Sequence, residues 1–298
     1  MMNSTDAYAA CSDFAKAHYE NFPVGLLVSA ELRPHVHAVY AFARVSDDIA
    51  DEGYADPRLP KPENALPQEE RLAQLLAFRE EFRSWASGAT NAETPYAWIF
   101  RPLMATIAKF ELPHSLFYDL LSAFEQDIVK RRYANFTEVM DYCRRSANPV
   151  GRLVLLLHGY RDEERFEWSD HICTALQLAN FWQDVAVDLV KDRIYLPQDD
   201  LKKFAVSESQ LFALDASPAY RDLLKFQVDR AQEIFEQGKS LAASLRQFLF
   251  SLEISLTWHG GTTILQKIRR QNYDTLTKRP KLTKWDALPL LCKSLISR

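Results

Sequence analysis

The stretch Leu178-Ala179-Asn180-Phe181-Trp182-Gln183-Asp184-Val185-Ala186-Val187-Asp188 constrains this chain more than any other. Read as a helix, it repeats Asn180, Asp184 and Asp188 at every fourth position, so three oxygen-bearing side chains share one face. Gln177 joins that face three residues earlier. The flanks Leu178, Ala179, Phe181, Trp182, Val185 and Val187 are apolar, which predicts a helix buried on almost every side. A buried row of carboxylates is costly unless positive charge neutralises it. A hard dication such as Mg2+, with Mn2+ as the alternative, takes oxygen ligands and shares them with substrate phosphates.

A second acidic stretch runs from Tyr40 to Asp51. It sets Asp47 and Asp51 one helical turn apart, with Arg44 and Tyr40 on the same face one and two turns earlier. Two carboxylate helices facing each other across an apolar bundle would clamp a diphosphate through shared ions. The competing reading of Asp47 and Asp51 is a solvated helix end, because Gly53 and a run of prolines follow. The apolar flanks make that reading weaker for Asn180 to Asp188.

Composition narrows the partners. The net charge of −4 gives a nucleic-acid partner no electrostatic support. The four cysteines show no CxxC spacing, so neither a zinc site nor a disulfide framework is indicated and a reducing cytoplasm fits. The first ten residues lack a basic segment followed by an apolar run, and no apolar stretch approaches the ~20 residues of a membrane span. The expectation is a soluble cytoplasmic protein with at most a peripheral contact at the inner membrane. The basic run Lys278, Arg279, Lys281 and Lys284 is the segment for such a contact with anionic lipid.

Glycine is scarce, at 8 residues, and helical periodicity dominates. Ser12 or Asp13 caps a first helix ending near Tyr19. Pro34 opens a helix over about 31–52, and the prolines of 54–67 mark a loop. Helices follow over about 68–86, 95–110 and 113–130. The run 137–158 starts at a Thr137 cap and kinks at Pro149. Next come 168–189, a long helix over 218–251, another over 252–270 broken near Gly260-Gly261, and a closing helix over 285–297. About ten helices with short loops predict an all-α fold, read as a single domain over 1–298.

The residues now on the page resemble the squalene and phytoene synthase family of head-to-head prenyl synthases, over about 18–280. Four patterns carry the resemblance: Tyr40-x-x-x-Arg44-x-x-Asp47-Asp48-x-x-Asp51; Asp141-Tyr142-Cys143 with Val150-Gly151; Gln177-x-x-Asn180-x-x-x-Asp184-x-x-x-Asp188; and Arg193-Ile194-Tyr195-Leu196-Pro197. The resemblance implies an isoprenoid-synthase-type helical bundle with a central apolar cavity. It also implies Mg2+ held by Asp47, Asp51, Asn180, Asp184 and Asp188.

Within the family, His18-Tyr19-Glu20-Asn21-Phe22-Pro23, the run Arg144 to Arg152 and the run Gln183 to Asp188 are similar to a bacterial hopanoid-pathway branch. That branch converts presqualene diphosphate and water to an alcohol and diphosphate without NADPH. The resemblance therefore implies a prenyl diphosphate substrate handed over by a presqualene diphosphate synthase. Gln183 stands where many members carry arginine, and Gly261 where many carry tyrosine. Both are compatible with a site that handles one diphosphate and admits water.

Arg44 and Tyr40 would donate to the diphosphate, with His18 and Asn21 at the same headgroup end. Lys191 and Arg193, directly after Asp188, are further phosphate candidates, whereas Lys130-Arg131-Arg132 reads as a solvated helix end. Tyr142, Tyr195, Phe181 and Trp182 are electron-rich rings suited to a carbocation, although core packing explains each of them as well. Ala147, Val150 and Gly151 would leave room for hydrocarbon tails. Two rival readings stay open. One is an enzyme of the same scaffold making presqualene diphosphate, squalene or phytoene; the other is a non-catalytic assembly or lipid-binding protein.

Overall fold

The computed structural model describes residues 4–17, 27–53, 65–89 and 93–296. Among these residues every named element is an α-helix, and the one β-bridge joins Arg132 to Ile194. The sequence reads as one domain; by internal contacts the chain divides into two compact units. The first comprises Met1–Val129 and Leu153–Arg161, the second Lys130–Arg152 and Asp162–Arg298.

The first unit holds α1 (Ser4–Ala17), α2 (Arg33–Asp51), α3 (Gln68–Ala86), α4 (Ala97–Phe110) and α5 (His114–Val129). The boundaries of α2 to α5 follow the periodicity and their prolines. Pro34 starts α2, and α3 opens just after Pro67 with Glu69 and Glu70 in its first turn, where they complement the helix dipole. α1 begins eight residues before the predicted Ser12 cap. Ala7, Cys11, Phe14 and Ala15 form one buried stripe along it, and that packing extends the helix through a weakly patterned segment. The stripe packs on α2 and α4. Pro102 inside α4 has no N–H to donate to the Trp98 carbonyl, and the Cys11 thiol donates to that oxygen instead, at 3.4 Å. The core joins Phe42 of α2 to Phe78, Phe82, Phe100 and Phe117, all fully buried. Phe42 lies 5.2–5.5 Å, centroid to centroid, from Phe78, Phe82 and Phe117.

Two further helices cover the middle of the chain: α6 (Phe136–Ser146), which belongs to the second unit, and α7 (Asn148–Leu157), which is divided between the units after Arg152. Asn135, not Thr137, caps α6 by accepting from the Glu138 N–H at 3.1 Å. Pro149 starts a new helix instead of kinking a long one, since proline is tolerated in a first turn and not in an interior.

The second unit continues with α8 (Glu163–Gln183), α9 (Val185–Val190), α10 (Gln198–Lys203), α11 (Glu208–Phe212), α12 (Pro218–Gln237), α13 (Leu241–Ser244), α14 (Phe248–Arg270) and α15 (Lys284–Ile296). α8 is its axis and packs on α6, α12, α13 and α14. Asp162 caps α8, accepting from the Arg165 N–H at 3.1 Å. The short helices α10 and α11 carry too few residues for a periodic signal. α12 ends at Gly238, where a Cβ would lie 2.6 Å from the Trp168 carbonyl of α8. Gly260 and Gly261 do not break α14. A Cβ at Gly261 would lie 2.4 Å from Phe235 of α12 and 2.8 Å from Leu176 of α8, so glycine here lets three helices approach closely. The glycine at 261 thus meets a packing demand. No helix among the described residues is long and apolar enough to cross a membrane.

Candidate functional site

The two acidic rows lie in different units. In the first unit, Asp47 and Asp51 occupy the last turns of α2, both half-buried. Asp48 between them turns inward, is 2% exposed, and pairs with Arg44 at 2.9 Å. Asp48 belongs to the first acidic pattern and stands one turn after Arg44, the spacing at which a carboxylate meets a guanidinium on one helix face. It orients the Arg44 guanidinium, the group expected at the phosphate end. Tyr40 is half-buried one turn before Arg44.

The end of α2 is fixed by Arg71 of α3, 8% exposed, which donates to the Ala50 and Leu66 carbonyls. Gly53, at φ +72°, lets Arg71 cross, because a Cβ there would lie 2.6 Å from its Cγ. The Asp47 carboxyl is pushed up to about 7, first by burial and then by the charge of Asp51, against the opposing pull of Arg44. Asp127 of α5, buried, adds to the same negative field.

In the second unit, the helix carrying Asn180, Asp184 and Asp188 is interrupted. α8 ends at Gln183, Asp184 sits at φ −106° and ψ 14°, and α9 begins at Val185. The register survives: the Asp184 N–H donates to the Asn180 carbonyl and the Asp188 N–H to the Asp184 carbonyl, both at 2.9 Å. The row is not buried all round, as the apolar flanks had suggested. Asn180 is exposed, Asp188 half-buried, and Val187 and Val190 face solvent, the latter 88% exposed. Gln177 and Gln183 are half-buried. Asn180 donates to Asp184 at 2.6 Å.

Asp184 also receives Arg279, whose Nη2 donates to its Oδ2 at 2.8 Å and whose Nε donates to its Oδ1. That pair, with the charge of Asp188, holds the Arg279 pKa above its ordinary value. In the sequence Arg279 read only as one of a basic run. Nothing local tied it to an aspartate 95 residues away.

An aromatic cluster adjoins this row. Phe181 and Tyr195 stack face to face, with centroids 3.7 Å apart and planes at 9°. Tyr142 lies 5.8 Å from Phe181 and 5.9 Å from Tyr195. Tyr133, which the sequence did not single out, stacks on Tyr195 at 5.5 Å. A parallel bridge brings Tyr133 there: Arg132 pairs with Ile194, and the Gln198 N–H donates to the Tyr133 carbonyl at 2.9 Å. Trp182 is fully buried and 6.3 Å from Phe181, a core position.

A small pocket is lined by Phe181, Val185, Asp188, Arg193, Ile194, Tyr195 and Leu196. Arg193 is buried, and Lys191 is exposed. Lys130 and Arg132 do not form a solvated end. Lys130 pairs with Glu138 at 2.9 Å, and Arg132 pairs with Asp192 at 2.7 Å and Glu208 at 2.9 Å, strapping this segment. Gly151 faces Ser169 and Cys173 of α8, where a Cβ would meet atoms at 2.3 and 2.6 Å. Its smallness serves helix packing. Ala147 is half-buried, and Val150 is exposed. His18 and Asn21 lie outside the described residues.

Among the described residues no group of three or more His, Cys, Asp and Glu side chains is arranged to hold an ion by itself. Each row instead offers two carboxylates, the protein share that Mg2+ commonly takes when phosphate and water complete its shell. The crowding that raises Asp47 and the guanidinium resting on Asp184 both mark places that favour a cation.

An all-α bundle with two such rows defines a class, and solved structures specify it. A dehydrosqualene synthase in complex with ligand superposes with a TM-score of 0.82 at 20% identity, over 98% of this chain and 96% of that one. The squalene synthase HpnC from Alicyclobacillus acidocaldarius superposes at 0.78 with 38% identity, over 91% and 96%. The fold is that of the isoprenoid synthases. The squalene/phytoene synthase family profile matches residues 15–286, and the chain belongs to that family of enzymes. Among relatives, the hydroxysqualene synthase of Zymomonas mobilis is 32% identical over 94% of this chain and 86% of its own length. The chloroplastic phytoene synthase of Narcissus pseudonarcissus is 30% identical over 96% and 66%.

Proposed function

We propose that the protein is a hydroxysqualene synthase, converting presqualene diphosphate and water to hydroxysqualene and diphosphate with Mg2+ and without NADPH. The observation that carries this reading is the shared pocket. Asp188 and Arg193, suited to a metal-bound diphosphate, open onto the same small space as the stacked rings of Phe181 and Tyr195. Relatives bearing the hydroxysqualene synthase name, from three bacteria at 31–32% identity, support the choice within the family.

Dications would be held by Asp47 with Asp51 in the first row and by Asn180, Asp184 and Asp188 in the second, and when bound they neutralise the diphosphate and make it a better leaving group. Arg44, oriented by Asp48, and Arg193 and Lys191 donate to phosphate oxygens. The carbon–oxygen bond breaks with its electron pair leaving on the diphosphate. A cyclopropylcarbinyl cation remains beside the ring cluster of Phe181, Tyr195 and Tyr142, electron-rich groups that attract positive charge and are poor nucleophiles. The cation rearranges within the cyclopropylcarbinyl system; as water adds to the cationic carbon a ring carbon–carbon bond opens, its electron pair forming the new double bond, and the added water loses a proton to give the open-chain alcohol.

The test is product analysis. Purified protein with Mg2+ and presqualene diphosphate yields hydroxysqualene at equal rates with and without NADPH. A protein that ignores presqualene diphosphate but consumes farnesyl diphosphate belongs to the rival branch that makes presqualene diphosphate, squalene or phytoene. Retention of all the acidic positions weighs against a non-catalytic scaffold.

A further inference from the structure

α15 has a buried inner side and an exposed outer side that is apolar. Its inner side, Leu290 and Ser294, packs on α14, and the two helices run antiparallel. Lys267 of α14 meets Asp286 at 2.8 Å, and Ser255 donates to the Ser294 carbonyl at 3.3 Å. Its outer side carries Trp285, Leu288, Leu291, Leu295 and Ile296, all exposed, with Trp285 at 90% and Leu288 at 70%. At 100° per residue these five fall within one sector opposite Leu290. A helix on a soluble surface normally turns polar residues outward, so a contiguous apolar stripe marks a contact face. Phe248 and Leu249, in the first turn of α14 and also exposed, lie two turns before Ser255, toward the Ile296 end of α15.

Charge identifies the occupant. The whole chain is net −4, yet residues 275–296 carry Lys278, Arg279, Lys281, Lys284 and Lys293 against the single carboxylate Asp286. Asp286 is already engaged by Lys267, and Arg279 by Asp184. Lys281 and Lys284 are exposed at the Trp285 end, and Lys293 is exposed near the other end. Lys293 and Lys239 are close enough to His259 to lower its pKa further, after burial. At 13 residues, α15 is about 20 Å long and too short to span a bilayer. An apolar stripe with an aromatic at one end and lysines at both ends has the form of a helix lying in a lipid interface. Most of α15 lies beyond the span matched by the family, residues 15–286.

We propose that the outer face of α15 docks this protein in plane onto an anionic membrane surface, with Trp285, Leu288 and Ile296 entering the interface and Lys281, Lys284 and Lys293 meeting lipid headgroups. The inference is independent of the proposed reaction, and its test uses no substrate. The full chain is mixed with phosphatidylcholine vesicles containing about a third phosphatidylglycerol, and with pure phosphatidylcholine vesicles, and bound protein is measured by flotation.

The wild type floats with the anionic vesicles and is released by high salt. The variant Trp285→Ser/Leu288→Ser/Ile296→Ser needs at least about tenfold more lipid for half-binding. The variant Lys281→Glu/Lys284→Glu loses on the order of tenfold on anionic vesicles and little on neutral ones. Thermal melts confirm that each variant is folded; should the triple variant melt early, the single change Trp285→Ser gives the same direction. Absence of wild-type protein from the anionic vesicles overturns the proposal, as does equal binding by folded triple and charge variants. Sedimentation revealing a dimer that the triple variant abolishes would assign the face to a second copy and overturn it as well.

Discussion

Asp184 holds a guanidinium where the proposed chemistry calls for a dication. Arg279 donates to both of its oxygens and Asn180 donates to one, so metal entry must displace or share that contact. Such a partly exposed pair is worth only about 1 kcal/mol, within reach of a competing ion. Arg279→Ala is therefore expected to tighten Mn2+ binding to the substrate-free protein about fivefold, read by titration of free Mn2+ at constant ionic strength. An unchanged or weaker affinity would count against competition at Asp184. In the first row the inward-facing Asp48 pairs with Arg44, while the charge of Asp51 adds to burial in raising the Asp47 carboxyl against the pull of Arg44.

At the scale of elements, glycines and one ion pair decide how helices meet. Gly261 sits where α14 crosses Phe235 and Leu176. Alanine is the better helix former by about 1 kcal/mol, yet the added methyl would overlap a fully buried ring. Overpacking of this kind costs about 1–3 kcal/mol, so Gly261→Ala should lower the thermal midpoint rather than raise it.

α15 is tied to α14 by Lys267 and Asp286, and Asp286 also accepts from the Thr283 N–H and hydroxyl. These donors, Lys267 foremost, bring the Asp286 carboxyl down to about 2. A depressed folded-state pKa gives stability that is present above the ordinary value of 3.8 and lost as pH falls through about 2. Asp286→Asn should therefore cost about 1 kcal/mol at neutral pH, after discounting for solvent access. The difference should close toward pH 2 in denaturant titrations.

At the scale of the whole molecule, each compact unit carries one of the two acidic rows to which the proposed reaction assigns a dication. Asp51→Ala and Asp184→Ala should each lower kcat by on the order of a hundredfold or more. If the rows act together, the double variant is scarcely worse than the poorer single one, because residues acting as a unit are not additive. Losses that multiply would mean two independent sites and would remove the basis for a shared clamp. Single-turnover assays on folded variants supply the comparison.

The chain by itself determined its helical class and most of its acidic chemistry. Those features are periodic and local: apolar spacing, prolines at first turns, and carboxylates four apart. Tyr40, Arg44, Asp47 and Asp51 fall on one helix as their spacing requires, and Asn180, Asp184 and Asp188 keep their register even though the helix changes at Asp184. Only the tertiary structure could decide that Asp48 faces inward, that Arg279 reaches Asp184, and that Tyr133 joins Tyr195 across a parallel bridge. It also decided that Gly151 and Gly261 are small because other helices press on them. Those facts come from pairs of residues far apart along the chain, and local spacing carries no record of which distant side chains will meet.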